Sequence, residues 1–140
     1  MIGKTARYIL VIMAFSLFLS GVVPTGDAVA EPGNIAGSYA VSGWNPGSDT
    51  TGPPQYQGIA ELTAWGDAWK YRGFMDGTAY VGVGVFDPLA KVLSLSFRSE
   101  DGSESGVTTL RMVGDRFSGH WVFAGVGNGI LGAETWTRKP

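Results

Sequence analysis

The chain has no cysteine and only one histidine, His120, among its 140 residues. Without cysteine there are no disulfides, no thiolate nucleophile and no cysteine-ligated metal. A single imidazole excludes any site that needs two. Basic residues are few as well: ten Lys and Arg stand against twelve Asp and Glu, for a formal charge of −2. Such a balance supplies no cationic surface for nucleic acid or anionic lipid. Beyond residue 30 no stretch of useful length repeats its apolar residues at helical spacing. The length fits one domain at most.

What is present first is a leader. Lys4 and Arg7 precede an uncharged run from Tyr8 to Val23, which Pro24, Gly26 and Asp27 then break. Ala28-Val29-Ala30 follows, ahead of Glu31. A basic stretch, an apolar stretch and a small-x-small site form the pattern of a secretory signal peptide. The apolar run falls short of the roughly 20 residues a spanning helix needs. The expectation is a leader over residues 1–30 and one mature domain over 31–140, secreted or periplasmic and not inserted in a membrane. Past residue 30 the chain keeps eight basic and eleven acidic residues, net −3, with all five Trp and 19 of 22 Gly. About 110 residues can bury a small but real core.

Turn signals divide that domain evenly. They are Asn45-Pro46-Gly47 through Pro53-Pro54, Gly66-Asp67, Asp76-Gly77, Asp87-Pro88, Asp101-Gly102, Gly114-Asp115 and Gly125 to Gly129. Asp-Gly pairs suit tight hairpins because both central residues tolerate positive φ. Seven breaks leave eight short segments, and within them apolar residues alternate, as in Leu93-Ser94-Leu95-Ser96-Phe97-Arg98. Period 2 is the mark of strands. Four aromatic-x-Gly pairs recur, at Tyr56-Gly58, Tyr71-Gly73, Tyr80-Gly82 and Phe117-Gly119. Glycine on an inward face lets a strand bend, and a neighbouring ring covers the gap; the alternative is that the glycine opens space for a ligand beside the ring. The predicted fold is therefore all-β: an eight-stranded antiparallel up-and-down barrel, with a two-sheet sandwich as the alternative. Closure removes sheet edges in a chain that has no disulfide to hold it.

Little in the sequence points to catalysis. His120 falls on the face with Ser118 that alternation sends outward, and no Gly-x-Ser-x-Gly elbow accompanies it. Glycine pairs such as Gly82-x-Gly84 lack the following helix that a phosphate site requires. Asp49, Asp76 and Asp101 stand in separate turns, so no calcium loop forms and no metal or cofactor is expected. Glu134 alternates with Ile130, Gly132 and Trp136, and is a buried acid among aromatics if that face points inward. Burial there would raise its pKa, and Arg111 or Arg138 would be an ordinary structural partner. The surplus of aromatics is the remaining signal: Trp69, Tyr71, Phe97, Phe117, Trp121 and Phe123 read as inward. Either they fill a core or they line a cavity for an apolar or ring-shaped ligand. Trp44 precedes the longest loop, Asn45 to Gln55, and would be a contact residue if exposed. The candidate ligand-binding residues are Trp44, Trp69, Tyr71, Trp121 and Glu134.

The chain also resembles a group of small exported bacterial proteins. The resemblance rests on Gly37-Ser38-Tyr39-Ala40-Val41-Ser42-Gly43-Trp44-Asn45-Pro46, then Tyr56-Gln57-Gly58 and Gly82-Val83-Gly84, and the closing Gly132-Ala133-Glu134-Thr135-Trp136. It covers nearly all of residues 31–140 and departs in the loop after Pro46, which is longer here. Members of that group often carry the label fibronectin-binding protein, which implies a protein or extracellular-matrix partner. The barrel outline is similar to avidin, to lipocalins and to small periplasmic inhibitors of hydrolases. The expected function is a non-enzymatic binding module for a protein or matrix partner. The alternatives are a barrel for a small apolar ligand and an inhibitor of a secreted hydrolase.

Overall fold

The computed structural model describes residues 33–140; the expected leader and its cleavage site lie outside the described residues. Eight strands follow in order: β1 Gly37–Trp44, β2 Tyr56–Trp65, β3 Ala68–Met75, β4 Thr78–Asp87, β5 Val92–Ser99, β6 Ser105–Val113, β7 Arg116–Phe123 and β8 Gly132–Arg138. Each pairs antiparallel with the next, and β8 pairs back onto β1, so the sheet is a closed up-and-down barrel. The barrel reading holds and the sandwich alternative does not. One 3₁₀ turn, Gly127–Gly129, interrupts the last connection.

Turn chemistry sets the hairpins. Asp76 and Gly77 both take positive φ, 48° and 84°, between the paired residues Met75 and Thr78. That is the backbone a two-residue hairpin demands. In the β5–β6 turn, Asp101 accepts from the Ser99 hydroxyl at 2.7 Å and from the backbone N–H of Ser103 at 2.9 Å. These bonds favour the ionised carboxylate and lower its pKa to about 2.

Curvature comes from glycines on the inward face. A Cβ on Gly82 would fall 1.8 Å from the carbonyl oxygen of Ser96, and one on Gly119 would fall 2.0 Å from that of Thr109. The neighbouring strand already occupies the space a side chain would need, so the sheet coils more tightly there than any other residue permits. The curvature role expected of the aromatic-x-Gly pairs is met at these two positions.

The interior is filled at one end only. Tyr39, Val41, Leu62, Leu93, Leu95, Leu110, Phe117 and Trp136 form a packed core with Ile35. Tyr71 and Trp136 stack with ring centroids 5.6 Å apart and planes 18° from parallel, and Phe117 meets Tyr39 edge-on at 5.6 Å. The segment before β1 crosses this end as a plug. Ile35 is fully buried, its carbonyl accepts from the Tyr39 hydroxyl at 2.8 Å, and the Arg138 guanidinium donates to the carbonyl of Ala36 at 2.7 Å.

Truncating the plug tests its contribution. Ile35→Ala is expected to destabilise the fold by about 2–5 kcal/mol, read from denaturant midpoints. A loss below about 1 kcal/mol would mean that the core closes without Ile35.

Candidate functional site

The other end of the barrel is open. There the loops of residues 45–55, 76–77, 100–104 and 124–131 ring a cavity of about 340 Å³. Pockets that hold small ligands run from about 300 to 1,000 Å³. Tyr71, deep in the cavity, stacks on Trp136 of the packed core, so the core forms its floor. Tyr56, Tyr80, Phe97, Trp121 and Phe123 form the wall, with Met75, Thr108, Glu104 and Glu134 between them. Asn45, Gln55, Asp76 and Thr78 stand at the rim.

The rings pack edge to face around the wall. Trp121 meets Phe123 at 4.7 Å, Phe97 at 6.3 Å and Tyr56 at 6.5 Å between centroids. Bare glycines make room for them. Gly43 of β1 is the register partner of both Tyr56 on β2 and Glu134 on β8. A Cβ on Gly43 would lie 1.9 Å from Tyr56 Cζ. Because it has none, the Tyr56 ring lies across β1 and its hydroxyl reaches Glu134 Oε1 at 2.8 Å. Gly106 plays the same part between Phe97 and Phe123, and Gly132 lies under the Trp121 indole. The glycines thus serve the cavity as well as the curvature.

Glu134 is the chemical centre of the site. Its Oε2 accepts from Trp136 Nε1 at 2.7 Å, so the carboxyl joins the core to the cavity wall. Burial raises its pKa, and the bonds from Trp136 and Tyr56 offset only part of that. Among the described residues no arginine reaches it. Arg138 shares its inward face four residues on, about 13 Å along the strand, and is spent on the carbonyls of Asn34 and Ala36. Arg111 donates to the carbonyl of Ala90 instead. The partners of Glu134 are therefore a phenol and an indole, not the guanidinium expected from sequence.

The tyrosine hydroxyls stay protonated donors. Desolvation raises the pKa of Tyr56 and Tyr71, and the charge of Glu134 adds to it. Desolvation also raises Tyr80, whose hydroxyl donates to Glu104 Oε2 at 2.5 Å. Trp121 is 8% exposed, and its indole N–H lies toward the Tyr56 hydroxyl, short of full hydrogen-bond geometry.

Of the residues singled out from sequence, the structure brings Tyr71, Trp121 and Glu134 together in the cavity. Trp69 faces inward but packs against the filled core. Trp44 anchors the long loop, donating from Nε1 to the Gly52 carbonyl at 3.0 Å. His120 is exposed on the outer face, as alternation required. Sequence reasoning passed over Tyr56 and Tyr80 as site residues, although the aromatic-x-Gly pattern contained both. It also passed over Thr108, Met75 and Glu104. Glu104 lies in a turn, where no period marks a direction. Among the described residues no cluster of three or more His, Asp or Glu could hold a metal ion. A second concavity lies on the outer face, where Lys70, Arg72 and Arg98 stand beside Val83, Val107 and Val122.

The sequence matches no family model and no curated protein. Solved structures with a similar arrangement include a fatty acid transporter termed REP1-NXSQ, at 10% identity and TM-score 0.46, covering 75% of this chain and 96% of that one. Another is the apo lipid binding protein 8 of Caenorhabditis elegans, at 10% identity and TM-score 0.44, covering 74% and 94%. A third is secretory abundant heat soluble protein 4 of Ramazzottius varieornatus, at 10% identity and TM-score 0.43, covering 75% and 94%.

Two outcomes follow from this geometry. Because the folded pKa of Glu134 lies above its unfolded value, the native state holds the proton more tightly. Stability is therefore lost as pH rises from the unfolded pKa through the folded one. Glu134→Gln removes that linkage, so the stability of the wild type relative to the variant should fall as pH rises above the ordinary glutamate range in denaturant titrations. A difference that stays flat with pH would contradict the raised pKa. Gly43→Ala should drive the Tyr56 ring off Glu134 and cost about 1–3 kcal/mol, measured by thermal unfolding together with the near-ultraviolet tyrosine signal.

Proposed function

We propose that the chain is a non-enzymatic barrel that holds a small, largely apolar ligand in its open half. The observation that carries this reading is the division of the interior. One end is packed solid, while the other keeps about 340 Å³ of space walled by aromatic rings. A barrel built for stability alone would carry the packed core through to this end, as eight strands allow, whereas here the rings face open space.

Holding fits the polar groups better than turnover. Both oxygens of Glu134 are engaged by fixed donors, and the sole histidine points away from the cavity. The leader pattern in residues 1–30 directs such a barrel outside the cytoplasm. Capture of a protein or matrix partner by the loop of residues 45–55 is the weaker reading. That loop is stitched to the barrel, with Asn45 N–H donating to Gln55 Oε1 at 2.8 Å and Gly47 N–H to the Leu131 carbonyl at 3.2 Å. It behaves as a rim and not as a free arm.

Tryptophan fluorescence titrated with neutral 2-phenylethanol tests the proposal. A saturable change is expected, and Thr108→Phe, which fills the cavity, should weaken binding about tenfold or more while the far-ultraviolet spectrum stays that of the barrel. Absence of a saturable change, or binding unaffected by Thr108→Phe in a folded variant, would overturn it.

A further inference from the structure

The charge around the cavity narrows the class of ligand, and this step rests on the small-ligand reading above. The four loops at the open end carry Asp49, Asp76, Glu100, Asp101 and Glu104, and no Lys, Arg or His. Glu134 adds a sixth carboxyl inside. Among the described residues the cavity lining contains three of these acids, Asp76, Glu104 and Glu134, and no basic side chain.

The cations of the domain are placed elsewhere. Lys70, Arg72 and Arg98 are exposed on the outward face of the strands. Arg138, the basic residue on the inward face of β8, stands over the Tyr39 ring at the closed end. An anionic headgroup entering the mouth would meet carboxylates with no counter-charge, and like charges brought together in a partly desolvated site repel strongly. A cation would meet the reverse situation: carboxylates to balance it and the faces of Tyr56, Tyr71, Tyr80, Phe97 and Trp121 to surround it. Aromatic faces attract cations through the ring quadrupole, most strongly where water is excluded.

Hydrogen-bonding capacity agrees. A carboxylate has about four lone-pair sites. Glu134 uses two on Tyr56 and Trp136, and Glu104 uses one on Tyr80, so both keep acceptors for an ammonium N–H.

We propose that the ligand is an organic cation, an amine or quaternary ammonium on an apolar body, with its charged head among Glu104, Glu134 and the aromatic wall. The acidic ring of loops then attracts the ligand before contact and loses that pull as salt screens it.

A matched set of three probes on the intact domain tests this: 2-phenylethylammonium, 2-phenylethanol and phenylacetate, compared by calorimetry. The cation should bind about tenfold tighter than the alcohol, and phenylacetate should bind weakest. Cation affinity should fall with added sodium chloride. Glu104→Gln should lower the ratio of cation to alcohol affinity about threefold or more. If phenylacetate or the alcohol matches the cation, the charge assignment is overturned while the cavity reading stands. If none of the three binds, the cavity reading fails and the charge assignment fails with it.

Discussion

Hydrogen bonding between the first strand and the last governs the rest of the molecule. β1 meets β8 along Tyr39–Arg138, Val41–Trp136 and Gly43–Glu134, and this seam turns an open meander into a ring. Without it both outer strands would present bare N–H and C=O groups to water and to other chains. The seam also creates the chemistry. Tyr56 and Glu134 are 78 positions apart and meet only because Gly43, bearing no side chain, lies between them in the closed sheet. Closure and the cavity's central hydrogen bond are thus one construction.

Size and bareness alternate around the wall, and that alternation explains how a barrel of 108 described residues stays half open. Large rings at Tyr56, Phe97 and Trp121 each lie over a neighbouring glycine. The rings spread along the wall and leave the axis free. At the closed end the partners are Val41, Leu62, Leu93 and Leu110. Their branched side chains project into the axis and meet Phe117 and Trp136 there. Eight strands give an interior that side chains can fill or that can hold one small ligand; here one half does each.

Much of the fold was legible because its signals are local. Asp76-Gly77 and Gly114-Asp115 announce hairpins, and alternation in Leu93 to Phe97 assigns faces within a single strand. The same rule put Glu134 on one face with Trp136, and the structure turns that face inward. Height along the barrel axis was not legible. Trp69 and Tyr71 are both inward on β3 and both touch the filled core, yet only Tyr71 also reaches the cavity. That difference depends on register with strands far away in sequence. The partners of Glu134 escaped for the same reason. Arg138 shares its face and looks suitable by charge, but the strand carries it to the opposite end. Glu104 had no periodic neighbour to mark its direction, and a turn residue reveals its role only when the turn is placed over the mouth.

The plug at the closed end has a consequence for how the barrel is presented. The segment at residues 33–36 enters there, and β8 leaves there, with Lys139 N–H donating to the Ser38 carbonyl at 2.9 Å. Both ends of the described chain therefore lie on the side away from the opening. Anything joined to either of them, whether a wall, a carrier or a bead, would sit behind the barrel and leave its mouth facing outward.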